Sequence, residues 1–225
     1  MKEFIARPIT HRGYFDNINI PENSIEAFKK AIAYQYCIEC DVVMSKDHEV
    51  IVFHDNDLNR MANLDLKVSE LSSQELKKVN LLNTQLTIPT LDEILYSINA
   101  KTPLMIEIKK GSHPKIEERI IEIIRSYDGP ICLKAFEIDS IKWIKENAPY
   151  IKYGLIGSNL DLSIDNLIEL GIDFLSYDIN FINDPIVKLA QNNGIPVVTW
   201  TINTEEKYQK ASKLADNIIF ENILI

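Results

Sequence analysis

Among its 225 residues the chain has no run of roughly 18 consecutive apolar residues, the length a helix needs to cross a bilayer. Its first residues, "MKEFIARPITHR", also lack the uninterrupted apolar core of a secretory signal, so a cytoplasmic protein without stable membrane insertion is expected. Positive charge is in deficit. The 24 basic residues against 33 acidic ones give a net charge of -9, which disfavours nucleic acid or an anionic membrane surface as partner. An anionic ligand would therefore need a local positive site. Cysteine is scarce, and three, an odd number, argue against a disulfide framework. The "CIEC" of Cys37 to Cys40 has the spacing of a redox or zinc motif. It lies in an apolar, strand-like run, however, where an offset of three sends side chains to opposite faces. Two buried strand cysteines are the expectation there. A glycine-rich dinucleotide fingerprint after the first strand is missing too, which argues against an open doubly wound sheet.

Alternation is what the chain does have. The β-like runs are "PITH", "CIECDVVM", "VIVFHD", "PLMIEIK", "ICLKAF", "KYGLIG", "FLSYDI" and "VVTWTI", rich in β-branched and aromatic residues and bounded by turn signals. Between them "SIEAFKKAIAY", "TLDEILYSI", "IEERIIEIIRSY", "SIKWIKENA", "IDNLIEL", "DPIVKLAQNN" and "TEEKYQKASKLA" carry apolar residues at helical spacing. Asn23 with Glu26 has the form of a capping box, and Asp184-Pro185 puts proline at a first helical position. Pro8 has no N–H to donate and fits only the first residue of its strand. Eight β/α alternations predict an α/β fold, a single (β/α)8 TIM barrel over residues 1–225, with an open sheet as the alternative. The stretch from Asn56 to Pro89 holds one helical pattern, "SSQELKKV", and is expected to be an extended loop region.

In such a barrel the loops after the strands carry the chemistry, which singles out polar residues at strand C-termini. Alternation in "CIECDVV" sets Glu39 and Asp41 on the inner face with Cys37, and in "PLMIEIK" it sets Glu107 and Lys109 inward with Met105. Three converging carboxylates repel one another, so a hard divalent metal, or an ion-pair network with Arg12, Lys109 or Lys134, must balance them. His11 and His54, at strand ends, are the natural proton carriers. His48 and His113 fall in turns and receive no role. Arg12 can clamp a phosphate or carboxylate through two hydrogen bonds, and Lys109 adds a point charge. Trp200, read as facing inward with Val198 and Ile202, is either a pocket wall or a core residue.

Taken in order, "HRG", "PENS", "ECDV", "FHD", "IEIK" and "VVTWTIN" resemble the glycerophosphodiester phosphodiesterases over nearly the whole chain. The resemblance implies a metal-dependent barrel that cleaves small-molecule glycerophosphodiesters to glycerol 3-phosphate and an alcohol. It implies His11 and His54 as catalytic residues, and Glu39, Asp41 and Glu107 as ligands of one divalent cation, Mg2+ or Ca2+. By the same resemblance Arg12 and Lys109 lie near the phosphate, Trp200 walls the glycerol, and Glu22 and Asn23 sit at the mouth of the site. Asn23 also reads as a helix N-cap. Lys134, Asp178 and Asn180 are candidates for tuning substrate choice. Two departures stand out: "YQYC" precedes "ECDV" where glycine is usual, and "FENI" replaces an aspartate and proline near the final short strand. A lysophospholipase D-like substrate and a non-catalytic barrel binding a phosphorylated ligand are the alternatives.

Overall fold

The computed structural model describes residues 1–109 and 115–225, so His113 lies outside the described residues. The strands are β1 (Ile9–Thr10), β2 (Cys37–Met44), β3 (Val50–Val52), β4 (Leu104–Ile108), β5 (Ile131–Ala135), β6 (Lys152–Gly157), β7 (Phe174–Asp178), β8 (Val197–Ile202) and β9 (Asn217–Phe220). Among the described residues, eight of them pair in parallel in the order β1-β9-β8-β7-β6-β5-β4-β2, and β2 returns to β1 to close a (β/α)8 barrel. Pro8 directly precedes β1, and its carbonyl accepts from Cys37 N–H at 3.0 Å.

The eight runs read from the sequence and the eight barrel strands differ in one place. "VIVFHD" is not a barrel strand: β3 runs antiparallel to β2, with Val52 opposite Val42 and Val50 opposite Met44. Only Ser45 to Glu49 separate the two, closed by Ser45 N–H donating to Glu49 O at 3.0 Å. A parallel return needs a crossover of a dozen residues or more, so so short a connection makes a hairpin. The eighth place belongs to β9, in the "NIIF" run before Glu221.

Around the barrel lie α2 and the helices that follow the strands; α1 (Lys2–Ile5) sits below. In chain order these are α2 (Ile25–Ala33), α3 (Asn59–Ala62), α4 (Ser73–Leu76), α5 (Leu91–Ile98), α6 (Ile116–Ile124), α7 (Ile138–Asn147), α8 (Ile164–Leu170), α9 (Pro185–Asn192) and α10 (Glu205–Leu214). Side-chain oxygens at Ser24, Thr90, Ser163 and Thr204 accept the first free N–H groups of α2, α5, α8 and α10, and Pro185 opens α9 as its position predicts. Outward residues such as Ile38, Cys40, Ile106, Leu133, Leu155 and Leu175 pack against these helices.

The inward set is different. Ile9, Cys37, Met105, Cys132, Phe174, Val198 and Ile219 fill the lower barrel with apolar side chains. Phe4, on α1, plugs it from below at 2% exposure, where such burial contributes roughly 2–3 kcal/mol. Asn217 Nδ2 holds the plug by donating to Phe4 O at 2.6 Å and Arg7 O at 2.7 Å. Cys37 faces in and Cys40 faces out, both buried free thiols, as alternation requires. Burial pushes the Cys37 thiol up to about 11, leaving it protonated and inert. The stretch after β3 is more than loop: Phe53, Leu58, Met61, Val68, Leu76, Leu81 and Ile88 form a small core of their own against Val43 and Ile51.

Candidate active site

Two residues above the apolar floor the same strands become charged. Asp41 is the register partner of Glu107, and Glu107 of Lys134, so β2, β4 and β5 bring these groups to one level. Glu39, Asp41 and Glu107 are buried at 0%, 1% and 6% exposure, and one carboxylate oxygen from each lies within 4.8 Å of the others. Lys134 Nζ stands 3.0 Å from Glu39 Oε1 and 2.8 Å from Glu107 Oε2. Arg12 Nε is 3.1 Å from Asp41 Oδ2, and the Arg12 backbone N–H donates to Glu39 Oε2 at 3.0 Å. Lys109 Nζ is 2.6 Å from Glu107 Oε1 and 3.4 Å from Asp41 Oδ1.

Burial alone would push Asp41, Glu107, Lys109, Lys134 and Arg12 toward neutrality, and the pairing outweighs it. For Asp41 the burial penalty is overcome by Arg12 and Lys109, holding its carboxyl well below the usual range. For Glu107 it is overcome by Lys134 and Lys109 despite the repulsion of Asp41. Lys134 is raised in spite of burial, because Glu107 and Glu39 face its ammonium. The expected ion-pair network is therefore present, and it leaves acceptor capacity. Glu39 Oε1 and Asp41 Oδ1 are buried and accept no aligned hydrogen bond, although lysine nitrogens lie nearby.

Each histidine is held by a carboxylate. His11 follows β1, fixed by its N–H donating to Phe220 O at 2.8 Å, and its Nδ1 lies 2.6 Å from Glu221 Oε2. His54 arrives by the antiparallel return of β3: Phe53 N–H donates to Asp41 O at 3.0 Å, and His54 Nδ1 lies 2.5 Å from Asp55 Oδ1. Behind Asp55 a chain of ion pairs runs through Arg60 Nε at 2.7 Å, from Arg60 Nη2 to Glu22 Oε1 at 2.7 Å, and from Glu22 to Arg12 Nη1 at 2.7 Å. Burial raises the Glu22 carboxyl, but the Arg60 hydrogen bond and the Arg12 charge outweigh it and hold it at about 2.

His11, Arg12, Asp41, His54, Glu107, Lys109, Lys134, Trp200, Phe136 and Thr201 line one cavity of about 150 Å³. Four sequence expectations change here. Asn23 is not the N-cap of α2: Ser24 is, accepting from Ala27 N–H, while Asn23 takes a positive φ and grips Asp41, with Nδ2 donating to Oδ2 at 3.0 Å. Glu22 is buried behind Arg12 and Arg60, away from the cavity wall. Asp178 accepts from Asn180 N–H at 2.8 Å, capping a short 3-10 turn, and is not on the cavity wall. Trp200 faces in with Val198, but Ile202 packs outward, because the β8–β9 register slips between Thr199 and Ile202 and one slipped residue reverses the faces.

Glu221, Arg60 and Phe136 were not among the residues the sequence singled out. Glu221 was visible only as the departure "FENI". Phe136 meets Trp200 edge-on at 5.9 Å between ring centres, and nothing local marks it. Arg60 reaches Glu22 across 38 positions of sequence, a pairing no local pattern encodes.

Polar groups gathered at the C-terminal ends of parallel barrel strands occupy the position where such barrels perform catalysis, and the molecule is a (β/α)8 barrel enzyme. Residues 11–223 match the Glycerophosphoryl diester phosphodiesterase family. A glycerophosphodiester phosphodiesterase from Caldanaerobacter subterraneus subsp. tengcongensis is 30% identical over 232 residues, covering 95% of this chain and 93% of the relative. The crystal structure of a glycerophosphodiester phosphodiesterase from Thermotoga maritima superposes with a TM-score of 0.79 at 29% identity, covering 94% of this chain and 92% of its own. An Oleispira antarctica phosphodiesterase in complex with the product sn-glycerol-3-phosphate gives 0.87 at 24% identity, over 96% and 92%, a likeness of fold. The chain belongs to the glycerophosphoryl diester phosphodiesterase family.

Proposed function

We propose that the protein hydrolyses small glycerophosphodiesters to sn-glycerol 3-phosphate and an alcohol, with His11 and His54 as its proton carriers and one divalent cation, Mg2+ or Ca2+, as cofactor. The observation that carries this reading is that two imidazoles, each backed at Nδ1 by a carboxylate, face the same cavity as Asp41 and Glu107, two members of the carboxylate trio. With Nδ1–H donated to Glu221 or Asp55, each ring keeps Nε2 for proton exchange, and the carboxylate stabilises the imidazolium that forms. One histidine takes the proton of the attacking oxygen as the new phosphorus–oxygen bond forms; that oxygen is either a water or the neighbouring glycerol hydroxyl, and in the second case water then opens the cyclic phosphate to glycerol 3-phosphate. The other gives a proton to the departing alcohol oxygen as the phosphorus–oxygen bond breaks.

Glu39, Asp41 and Glu107 fit a hard cation, since they offer oxygen donors alone and two of those oxygens have no aligned hydrogen bond. When bound, the cation polarises a phosphate oxygen and neutralises charge in the transition state. Arg12 and Lys109 supply the positive field for a phosphodiester anion that a chain of net charge -9 otherwise lacks. Trp200 and Phe136 give the glycerol an apolar wall.

The test is release of glycerol 3-phosphate from glycerophosphocholine, glycerophosphoethanolamine and glycerophosphoglycerol, with chelation and add-back of each cation. His11→Ala and His54→Ala are each expected to lower kcat by roughly a hundredfold to ten-thousandfold. Turnover at the wild-type rate by both variants would remove the histidines from the mechanism.

A further inference from the structure

The three cations that balance the trio are not equally fixed. Lys134 lies at the level of Glu107 with a side chain only 3% exposed, bridging Glu39 and Glu107. Arg12 is anchored outside the trio by Glu22, 2.7 Å from its Nη1. Lys109 differs from Arg12 in that, among the described residues, its two ion pairs go only to members of the trio, Glu107 and Asp41, and from Lys134 in that its side chain is 16% exposed at the cavity wall. It follows the last residue of β4 on a flexible four-carbon stem.

We propose that Lys109 is a tethered competitor for the cation site, and that cation binding displaces its ammonium toward the cavity mouth, where it meets the substrate phosphate. This rests on the metal reading above. A divalent ion held by Asp41 and Glu107 would stand within a few ångströms of an ammonium already 2.6 Å and 3.4 Å from those carboxylates. Charges of the same sign at that range repel strongly, and the lysine is the partner free to swing. Lys134, buried between Glu39 and Glu107, and Arg12, anchored by Glu22, remain and keep the trio from being over-charged. The exchange couples two events: loading the cation also presents the positive charge that receives the anion. Lys109 therefore sets cation affinity as well as phosphate affinity.

Two measurements on the full chain test this. Titration calorimetry with MgCl2 or CaCl2 alone should give a Kd at least about tenfold lower for Lys109→Met, which keeps the stem and removes the charge, than for the wild type. Acetylation by an N-hydroxysuccinimide ester, read by mass spectrometry on the wild type, should rise several-fold at Lys109 when the cation is added, with Lys134 still protected. The second arm separates displacement from repulsion at a distance, which would tighten binding without exposing the amine. Equal or weaker cation binding by Lys109→Met, or unchanged labelling of Lys109, overturns the proposal and leaves the metal reading standing. If neither protein binds either cation, both fall together. Binding by Lys109→Met alone supports the proposal.

Discussion

The lower and upper halves of the barrel interior are built by the same strands and could hardly differ more. On β2, Cys37 lies in the apolar floor while Glu39 and Asp41 lie in the charged layer; β4 gives Met105 and then Glu107, and β5 gives Cys132 and then Lys134. Two residues of strand, roughly 7 Å, separate the two environments. The floor holds through apolar burial and needs no partner of a particular charge. The layer above holds only because every buried charge has an opposite one within reach, since an unpaired ion there would cost several kcal/mol. Strand alternation decides which residues enter the barrel, and position along the strand decides whether they stabilise it or equip it.

The sharpest way to break this division is Lys134→Met. Removing the ammonium leaves Glu39 and Glu107 facing each other in a buried layer, and denaturant unfolding should show a loss of about 3–5 kcal/mol. Met105→Ala, one level below, should cost about 2–5 kcal/mol by opening a cavity, with kcat of the folded protein kept. A kcat loss as deep as that of the histidine variants would mean that the floor shapes the chemistry and that the two halves are not separable. The smallest effect is one of pH. Glu22 has its carboxyl depressed from 4.5 to about 2, so its contribution is complete above about pH 4.5 and is lost as pH falls toward 2. Glu22→Gln should cost at most about 3 kcal/mol near neutrality, and the gap to wild type should close on acidification. The Met105→Ala gap should stay constant over the same range, because no titrating group is involved. Unfolding curves at several pH values check both.

The charged layer was largely legible in advance because it follows a period of two. Glu39, Asp41, Glu107 and Lys109 could be placed on one face by counting, and the face was correct. Counting failed where the backbone leaves that period. Trp200 was assigned the inner face correctly but Ile202 was not, since the slip after Thr199 lies in the pairing of β8 with β9. Asn23 has the form of a cap because capping residues and the partners of buried carboxylates draw on the same short polar side chains; only the neighbouring strand shows that it holds Asp41. The barrel count of eight is right although the sequence pattern places "VIVFHD" in the barrel and leaves "NIIF" out. A hairpin arm and a buried parallel strand are equally apolar, and periodicity cannot tell them apart.

By itself the sequence determined the alternation of strand and helix, the inward faces of β2 and β4 and the chemical types available at strand ends, because these depend on local geometry and side-chain size. The tertiary structure alone decided that Glu221 holds His11, and what braces Asp55, the sequence neighbour that holds His54. His11 meets Glu221 across 210 positions, and Arg60 ties Asp55 to Glu22 across 38, pairings set by barrel closure and by the β2–β3 hairpin. Contacts of that kind arise when distant segments are brought to one level, and no local pattern carries their distance.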